Sequence, residues 1–234
     1  IYPCILLLLA GGALVFLLVY VIPSFMPLFE QMGGDLPLLT QIVLLFANSI
    51  RYGWWAILLV IFGSGVWLQR QLLDPGFRLW FDGKLLELRW IGDLLLKIDT
   101  ARLARTTGTL LKNGVPLLSA LSIAKNVLGN TALSEQVESA SKEVKTGGGL
   151  AHALAAGKRF PRLALQMISV GEETGQLDEM LMRTADTYDR EVRTTIDRLM
   201  AAFVPLITIL LAGFIATIVL SMVMAIMSLN DLIG

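Results

Sequence analysis

The chain has 234 residues, 55% of them hydrophobic and 16% charged, with a mean hydropathy of +0.69; an ordinary soluble domain carries roughly 25% charge. Nineteen basic and nineteen acidic residues cancel, so no net field draws the protein to nucleic acid. One cysteine, Cys4, and one histidine, His152, exclude a disulfide framework or a cysteine metal site and leave almost nothing for a histidine site.

Residues 1–29, 52–69 and 199–229 contain no Asp, Glu, Lys or Arg. Uncharged apolar runs of about 18 residues or more read as membrane spans. The expected spans are residues 1–22, 52–69 and 203–228. The alternative is three very buried helices of a soluble protein. The first run lacks the basic start and small-residue exit of a signal peptide. Trp54 and Trp55 at one end of the second run, and Trp67 and Arg70 at the other, suit the headgroup level.

Eighteen of the nineteen Lys and Arg residues lie between Arg70 and Arg198. Basic residues stay on the cytoplasmic side. Residues 23–51 are therefore expected to form an outer, periplasmic loop, and residues 229–234 a periplasmic tail. Residues 70–98 form a cytoplasmic juxtamembrane segment, and 99–202 a cytoplasmic antiparallel helical bundle. The fold class is thus all-α, and no period-two β-branched run argues for a strand.

In the segment 70–98, "DPGFRLWFDGKLLELRWIG" reads as a helix along the membrane surface. Trp80 and Trp90 would sit in the interface, with Lys84 and Arg89 snorkelling; an ordinary amphipathic core helix is the alternative. A helix is then expected from about Asp99 to Lys112, capped by Gly114. Pro116 suits the start of the next helix, which runs to about Leu128. Gly129 ends it, and Asn130 or Thr131 caps a third helix through Val144. Short helices follow at Leu150–Ala156 and Arg162–Glu173.

From Leu177 a mostly apolar face steps through Leu181, Thr184, Tyr188, Val192, Thr195, Leu199 and Phe203. Glu179–Arg183, Asp186–Arg190 and Asp189–Arg193 are spaced i,i+4 on the opposite face. One helix is expected from Leu177 to about Met227, continuous with the third span, with Pro205 as a kink point.

"QMISVGEETGQLDEML" (166–181) groups Glu172, Glu173, Asp178 and Glu179 around Gly171 and Gly175. The structural reading is a helix corner: Gly175 turns left-handed, and Asp178 and Glu179 face the positive end of the next helix dipole. The functional alternative is a cation held across the corner by Glu172 and Asp178.

The longer run "FPRLALQMISVGEETGQLDEMLMRTADTYDREV" resembles the signature of the type II secretion system protein F family, which includes the type IV pilus platform proteins. The matching residues include Phe160, Pro161, Met167, Ile168, Gly171, Glu172, Gly175, Leu177, Asp178, Leu181, Asp189 and Glu191. "ARLARTTGTLLKNGVPLLSAL" is similar to the family's upstream motif through Arg102, Arg105, Leu110, Gly114, Pro116 and Leu121. "VIPSFMPLFEQMGGDLPLLT" resembles its external loop through Pro23, Phe25, Phe29, Leu36, Pro37 and Thr40. The resemblance covers essentially the whole chain. Family members usually carry a second helical domain before the first span, so a fragment or a short form is expected.

The resemblance implies a non-enzymatic platform in the bacterial inner membrane. Its implied partners are a cytoplasmic assembly ATPase, other inner-membrane secretion components and pilin-like subunits, besides lipid and a possible homo-oligomer. No cofactor is expected. "HALAAGKR" fails as a phosphate-binding loop, because His152 and Arg159 stand where glycine and Ser/Thr are needed. His152 then reads as a histidine on a helix surface. A transporter is disfavoured, since the three spans hold no Asp, Glu, Lys, Arg or His.

Two surfaces suit partners. Arg102, Arg105 and Lys112 share one helix face that can meet an acidic ATPase surface or only water; Glu172 joins them as a partner-binding candidate. Gly213, Thr217, Ser221 and Ala225 recur every four residues in the third span, where small residues let helices approach. That row can receive another subunit, a pilin-like helix, or the chain's own spans. The competing class is a membrane-anchored signalling scaffold with no assembly role. Neighbouring genes for an assembly ATPase and pilin-like proteins separate the two.

Overall fold

Proline and glycine punctuate the middle of the chain, and helices fill the intervals. The computed structural model describes residues 2–16, 20 and 38–233. Nine helices are labelled along them. They are α1 (Tyr2–Phe16), α2 (Leu38–Gln71), α3 (Pro75–Glu87), α4 (Ile91–Lys112), α5 (Leu117–Ala124, extended by a 3₁₀ turn at Lys125–Val127), α6 (Thr131–Lys145), α7 (Leu150–Ala156), α8 (Arg162–Thr174) and α9 (Leu177–Ile233). No strand occurs among the described residues, so the all-α expectation holds there. The external-loop motif up to Pro37 lies outside them.

The chain divides into two units, residues 68–197 and a second one comprising 1–67 with 198–234. In the second unit apolar side chains point outward: Leu8, Phe62 and Ile209 are each about 70% exposed. Water-facing helices do not carry such a surface in quantity. One helix among the described residues, α9, is long and apolar enough to cross a membrane, and almost none of its most apolar stretch is buried.

The unit of residues 68–197 has a conventional core. Leu121, Leu133, Val137, Leu150, Leu154 and Leu181 are essentially inaccessible to solvent. Each buried aliphatic side chain of this size stabilises the fold by about 1.5–3 kcal/mol relative to exposure. Alanines such as Ala104, Ala120, Ala124, Ala132 and Ala185 lie between them, also buried. They let the short helices approach closely.

Local signals place most helix ends. Asp74 accepts a hydrogen bond from the Phe77 amide, and Pro75 opens α3. Gly114, at φ 80°, ends α4 as expected. The Asn130 side chain accepts from the Ala132 and Leu133 amides and starts α6. At the end of α8 the amide of Gln176 donates to Gly171 O (2.9 Å) and that of Gly175 to Glu172 O (3.4 Å). Gly175 has φ 71°, which only glycine adopts without cost. The helix corner is therefore built as its sequence indicated.

Several boundaries differ from expectation. α2 begins at Leu38, not Tyr52, so half of the expected loop is helical; a single Arg51 in an apolar run does not stop a helix. α4 begins at Ile91 rather than Asp99, because Gly92 does not break a pattern that Leu94, Leu95 and Leu96 continue. α3 belongs to the same unit as the bundle, which therefore starts some 30 residues before residue 99. α9 runs to Ile233 with Pro205 inside it, so the expected tail is helical; its first helical stretch from Leu177 is continuous, as read.

Candidate functional site

The acidic corner is the first place to look for chemistry. Both carboxylate oxygens of Glu172 accept hydrogen bonds from backbone amides across the chain, Oε1 from Leu150 and Oε2 from Ala151 at 3.0 Å. Those amides open α7, whose own first residues supply no side-chain cap. Glu172 on α8 is thus the missing cap of α7, and the positive end of that helix holds its charge. Gly171 is buried, and a methyl group there would meet Leu177 Cα and Met180 Cβ at 3.0 Å. Glu173 accepts from Ser169 Oγ (3.1 Å), and Glu179 from Arg183 (2.7 Å). Among the described residues no three His, Cys, Asp or Glu side chains gather to hold a metal ion. Glu172 is thus engaged as a helix cap, and Asp178 lies in the first turn of α9.

This yields a stability prediction. Glu172→Ala removes the acceptor of two amides and is expected to cost about 1–2 kcal/mol. Glu172→Gln keeps one acceptor and costs less. Hydrogen exchange at Leu150 and Ala151 reads the effect locally, and equal exchange in all three proteins would refute the cap.

A row of charges joins α4 to the first turns of α9. Arg105 Nη2 lies 2.7 Å from Asp186 Oδ1 and 2.6 Å from Asp189 Oδ2. Lys97 Nζ lies 2.9 Å from Asp93 and 3.0 Å from Glu191. Asp189 first, then Asp186, raises the Arg105 guanidinium above its ordinary pKa, against a smaller opposing effect of burial. Hydrogen bonding to Asp93 raises Lys97, burial opposes it, and Glu191 adds to the rise.

Two of the three helix-surface pairs expected on α9 therefore do not form as read. Glu179 and Arg183 do pair, but Asp186 and Asp189 turn to Arg105. Arg190 Nε instead donates to the Asp186 carbonyl (3.1 Å). A planar guanidinium offers several donors to two carboxylates at once, and i,i+4 pairs are each worth only a few tenths of a kcal/mol.

The Lys97 shift has a pH consequence. A raised folded-state pKa contributes stability that is fully present below the ordinary lysine value of 10.5 and is lost as pH rises through the folded value. The stability difference between the wild type and Lys97→Met is expected to be constant from about pH 7 to 9 and to shrink above about pH 10.5. Thermal melts across that range check it; a difference that grows with pH would contradict the pairing.

The remaining site residues are spread out. Arg102 Nη1 is 3.4 Å from Asp99 Oδ1 on its own helix and its side chain is exposed. Lys112 is exposed in the last turn of α4. Of the three cations expected on one face, only Arg105 is drawn onto a neighbouring helix. His152 is exposed on α7, with Glu143 3.9 Å away. Gly213 is exposed, and Thr217 Oγ1 donates to the Gly213 carbonyl at 2.8 Å. The side chains of Ser221 and Ala225 lie outside the described residues.

One polar cluster escaped sequence reading. Asp99 is buried, and its Oδ1 and Oδ2 accept from the amides of Gly129 (3.0 Å) and Asn130 (2.9 Å). Asp82 Oδ2 accepts from Thr131 N (2.8 Å) and Thr131 Oγ1 (2.6 Å), and Asn130 Nδ2 donates to Asp82 O (2.9 Å). Two aspartates from α3 and α4 thus hold the loop that starts α6. The available signal was the position of Asp99, which shares a core-facing stripe with Leu96 and Leu103.

The family model for type II secretion system (T2SS), protein F, matches residues 103–225. The type II secretion system protein F of Xanthomonas campestris pv. campestris is 51% identical across all of this chain and 58% of that protein. Its counterpart in Aeromonas hydrophila is 37% identical across all of this chain and 60% of that protein. The type IV pilus assembly protein PilC of Myxococcus xanthus is 33% identical across 97% of this chain and 55% of that protein. The chain spans less than two thirds of the length of these relatives. With its matched region beginning in α4 and ending in α9, the chain belongs to the type II secretion system protein F family.

Proposed function

We propose that this chain is the membrane and helical-body portion of a non-enzymatic inner-membrane platform. It couples a cytoplasmic assembly ATPase to the extraction and polymerisation of pilin-like subunits during protein export. The carrying observation is the family match, running from the helical body into the apolar length of α9. Relatives named for secretion and for pilus assembly share the chain, so the common task is the assembly of a fibre-like machine.

The proposed topology has three spans, residues 1–22, 52–69 and 203–228. The 23–51 and 229–234 segments are periplasmic, while the body of 70–202 is cytoplasmic. The basic-residue bias supports it, as do the outward apolar side chains on α1, α2 and α9. Energy comes from the ATPase. The helix α9, shared by body and membrane segment, would carry movement of one to the other. Arg102, Lys112 and the region around Glu172 remain the proposed ATPase-facing positions, and the Gly213 row the proposed contact for other secretion components or a second copy.

Two measurements test this. Lys142 is exposed in the body. In a Cys4→Ala background, Lys142→Cys should react with a membrane-impermeant thiol reagent only after the inner membrane is opened. Labelling in intact spheroplasts would reverse the topology. In a strain lacking the full-length protein, export and co-purification of the ATPase with the inner-membrane assembly should both be lost and both return on complementation. Export that persists without it would sink the platform reading.

A further inference from the structure

Helix α3 follows α2 after only Leu72, Leu73 and Asp74. None of its residues is buried. Trp80 is 58% exposed, and Leu79 and Leu88 are exposed with it. Beside Trp80 lies a groove of about 510 Å³, walled by α3, by Leu96 of α4 and by the turn after α7. Its lining combines Leu79, Trp80, Leu86 and Leu96 with three cations, Lys84, Lys158 and Arg159, and one carboxylate, Glu87.

The cations are differently held. Lys84 Nζ is 2.8 Å from Glu87 Oε2 in an exposed pair, which is worth little in water. Arg159 Nη1 donates to the Ala132 carbonyl (2.9 Å), which fixes one side of its guanidinium. Lys158 is the single non-glycine residue with positive φ among the described residues, at 54°. That conformation is unfavourable for a residue with a Cβ. The chain accepts it at a place where a lysine side chain then lines the groove.

We propose that this groove binds the headgroup of an anionic phospholipid, with Lys158, Arg159 and Lys84 around the phosphate and Leu79, Trp80 and Leu96 against the glycerol and upper acyl chain. The proposal rests on the membrane reading above, because α3 reaches lipid only if residues 52–69 span it. The mixture of cations and apolar side chains selects the ligand. A free phosphate would leave the apolar wall without a partner, whereas an interfacial lipid uses both parts. Bound lipid would hold the start of the body against the cytoplasmic leaflet.

The test uses the full chain, released from micelles for native mass spectrometry with phosphatidylglycerol or phosphatidylethanolamine added. The wild type should retain phosphatidylglycerol preferentially, and 0.5 M salt should weaken that preference. Each surface cation contributes about fivefold to anionic-lipid binding, so Lys84→Gln with Lys158→Gly should lower it roughly 25-fold. Glycine at 158 relieves the backbone, so the loss cannot come from unfolding of that turn. Phosphatidylglycerol binding unchanged in the double variant, equal retention of the two lipids, or displacement by millimolar inorganic phosphate would each overturn the proposal. So would loss of ATPase co-purification in the double variant with lipid binding intact, which would assign the groove to an acidic protein surface. A chain extracted from membranes by alkaline carbonate would overturn the membrane reading itself. A carbonate-resistant chain without lipid preference overturns only the groove.

Discussion

Asp99→Ala is expected to destabilise the unit of residues 68–197 by about 1–3 kcal/mol, chiefly through the buried Asn130 amide, since a buried donor left unpaired costs roughly that much, whereas Gly129 is open to water. Asp99 is 3% exposed. Its two oxygens serve the Gly129 and Asn130 amides separately, so no single neighbour can replace both. The variant also strips Arg102 of its carboxylate partner. Asn130 in turn caps α6 and bonds the Asp82 carbonyl, so the loss spreads from α4 to α3 and α6. Asp99→Asn keeps one acceptor but turns an N–H₂ group toward an N–H, and should fall between alanine and the wild type. Thermal melts of the full chain in detergent read the total, and hydrogen exchange at Gly129 and Asn130 reads the origin. A wild-type melt for Asp99→Ala would mean that water satisfies both amides and that the cluster does not hold the loop.

The elements that were legible in the sequence are those governed by local chemistry. Gly114, Asn130, Gly175 and the short helix Leu150–Ala156 were placed from residue types alone, because a cap or a left-handed glycine acts within four residues. Long-range partners were not legible. Glu172 looks like an acidic residue at a helix end, and nothing nearby says that α7 lacks a cap and lies within reach. Asp186 and Asp189 sit at ideal spacing for Arg190 and Arg193, yet Arg105, more than 80 residues away in sequence, takes both. Asp99 looks like a helix start because aspartate favours that position; its real work, holding the loop ahead of a different helix from mid-helix, depends on α6 folding back. The candidate site thus changed character. A face expected to offer three cations outward contains one that ties the body together.

That reassignment makes Arg105→Glu the sharpest functional test. Three carboxylates would then crowd the junction of α4 and α9, removing two exposed ion pairs and adding repulsion of similar size, a loss of roughly 1–3 kcal/mol. If α9 carries movement from body to membrane segment, a loosened junction should lower export strongly while the protein still accumulates in the membrane. Adding Asp189→Arg returns an opposite charge to the glutamate at 105, and Asp186 then has the new arginine three residues away on its own helix. Export should recover in this charge-reversed pair. A direct role for Arg105 in gripping an acidic ATPase surface makes the opposite forecast: the second substitution restores nothing, because the partner still meets the wrong charge. Loss of ATPase co-purification in Arg105→Glu that persists in the pair would place Arg105 at the partner surface and remove the junction from the transmission path.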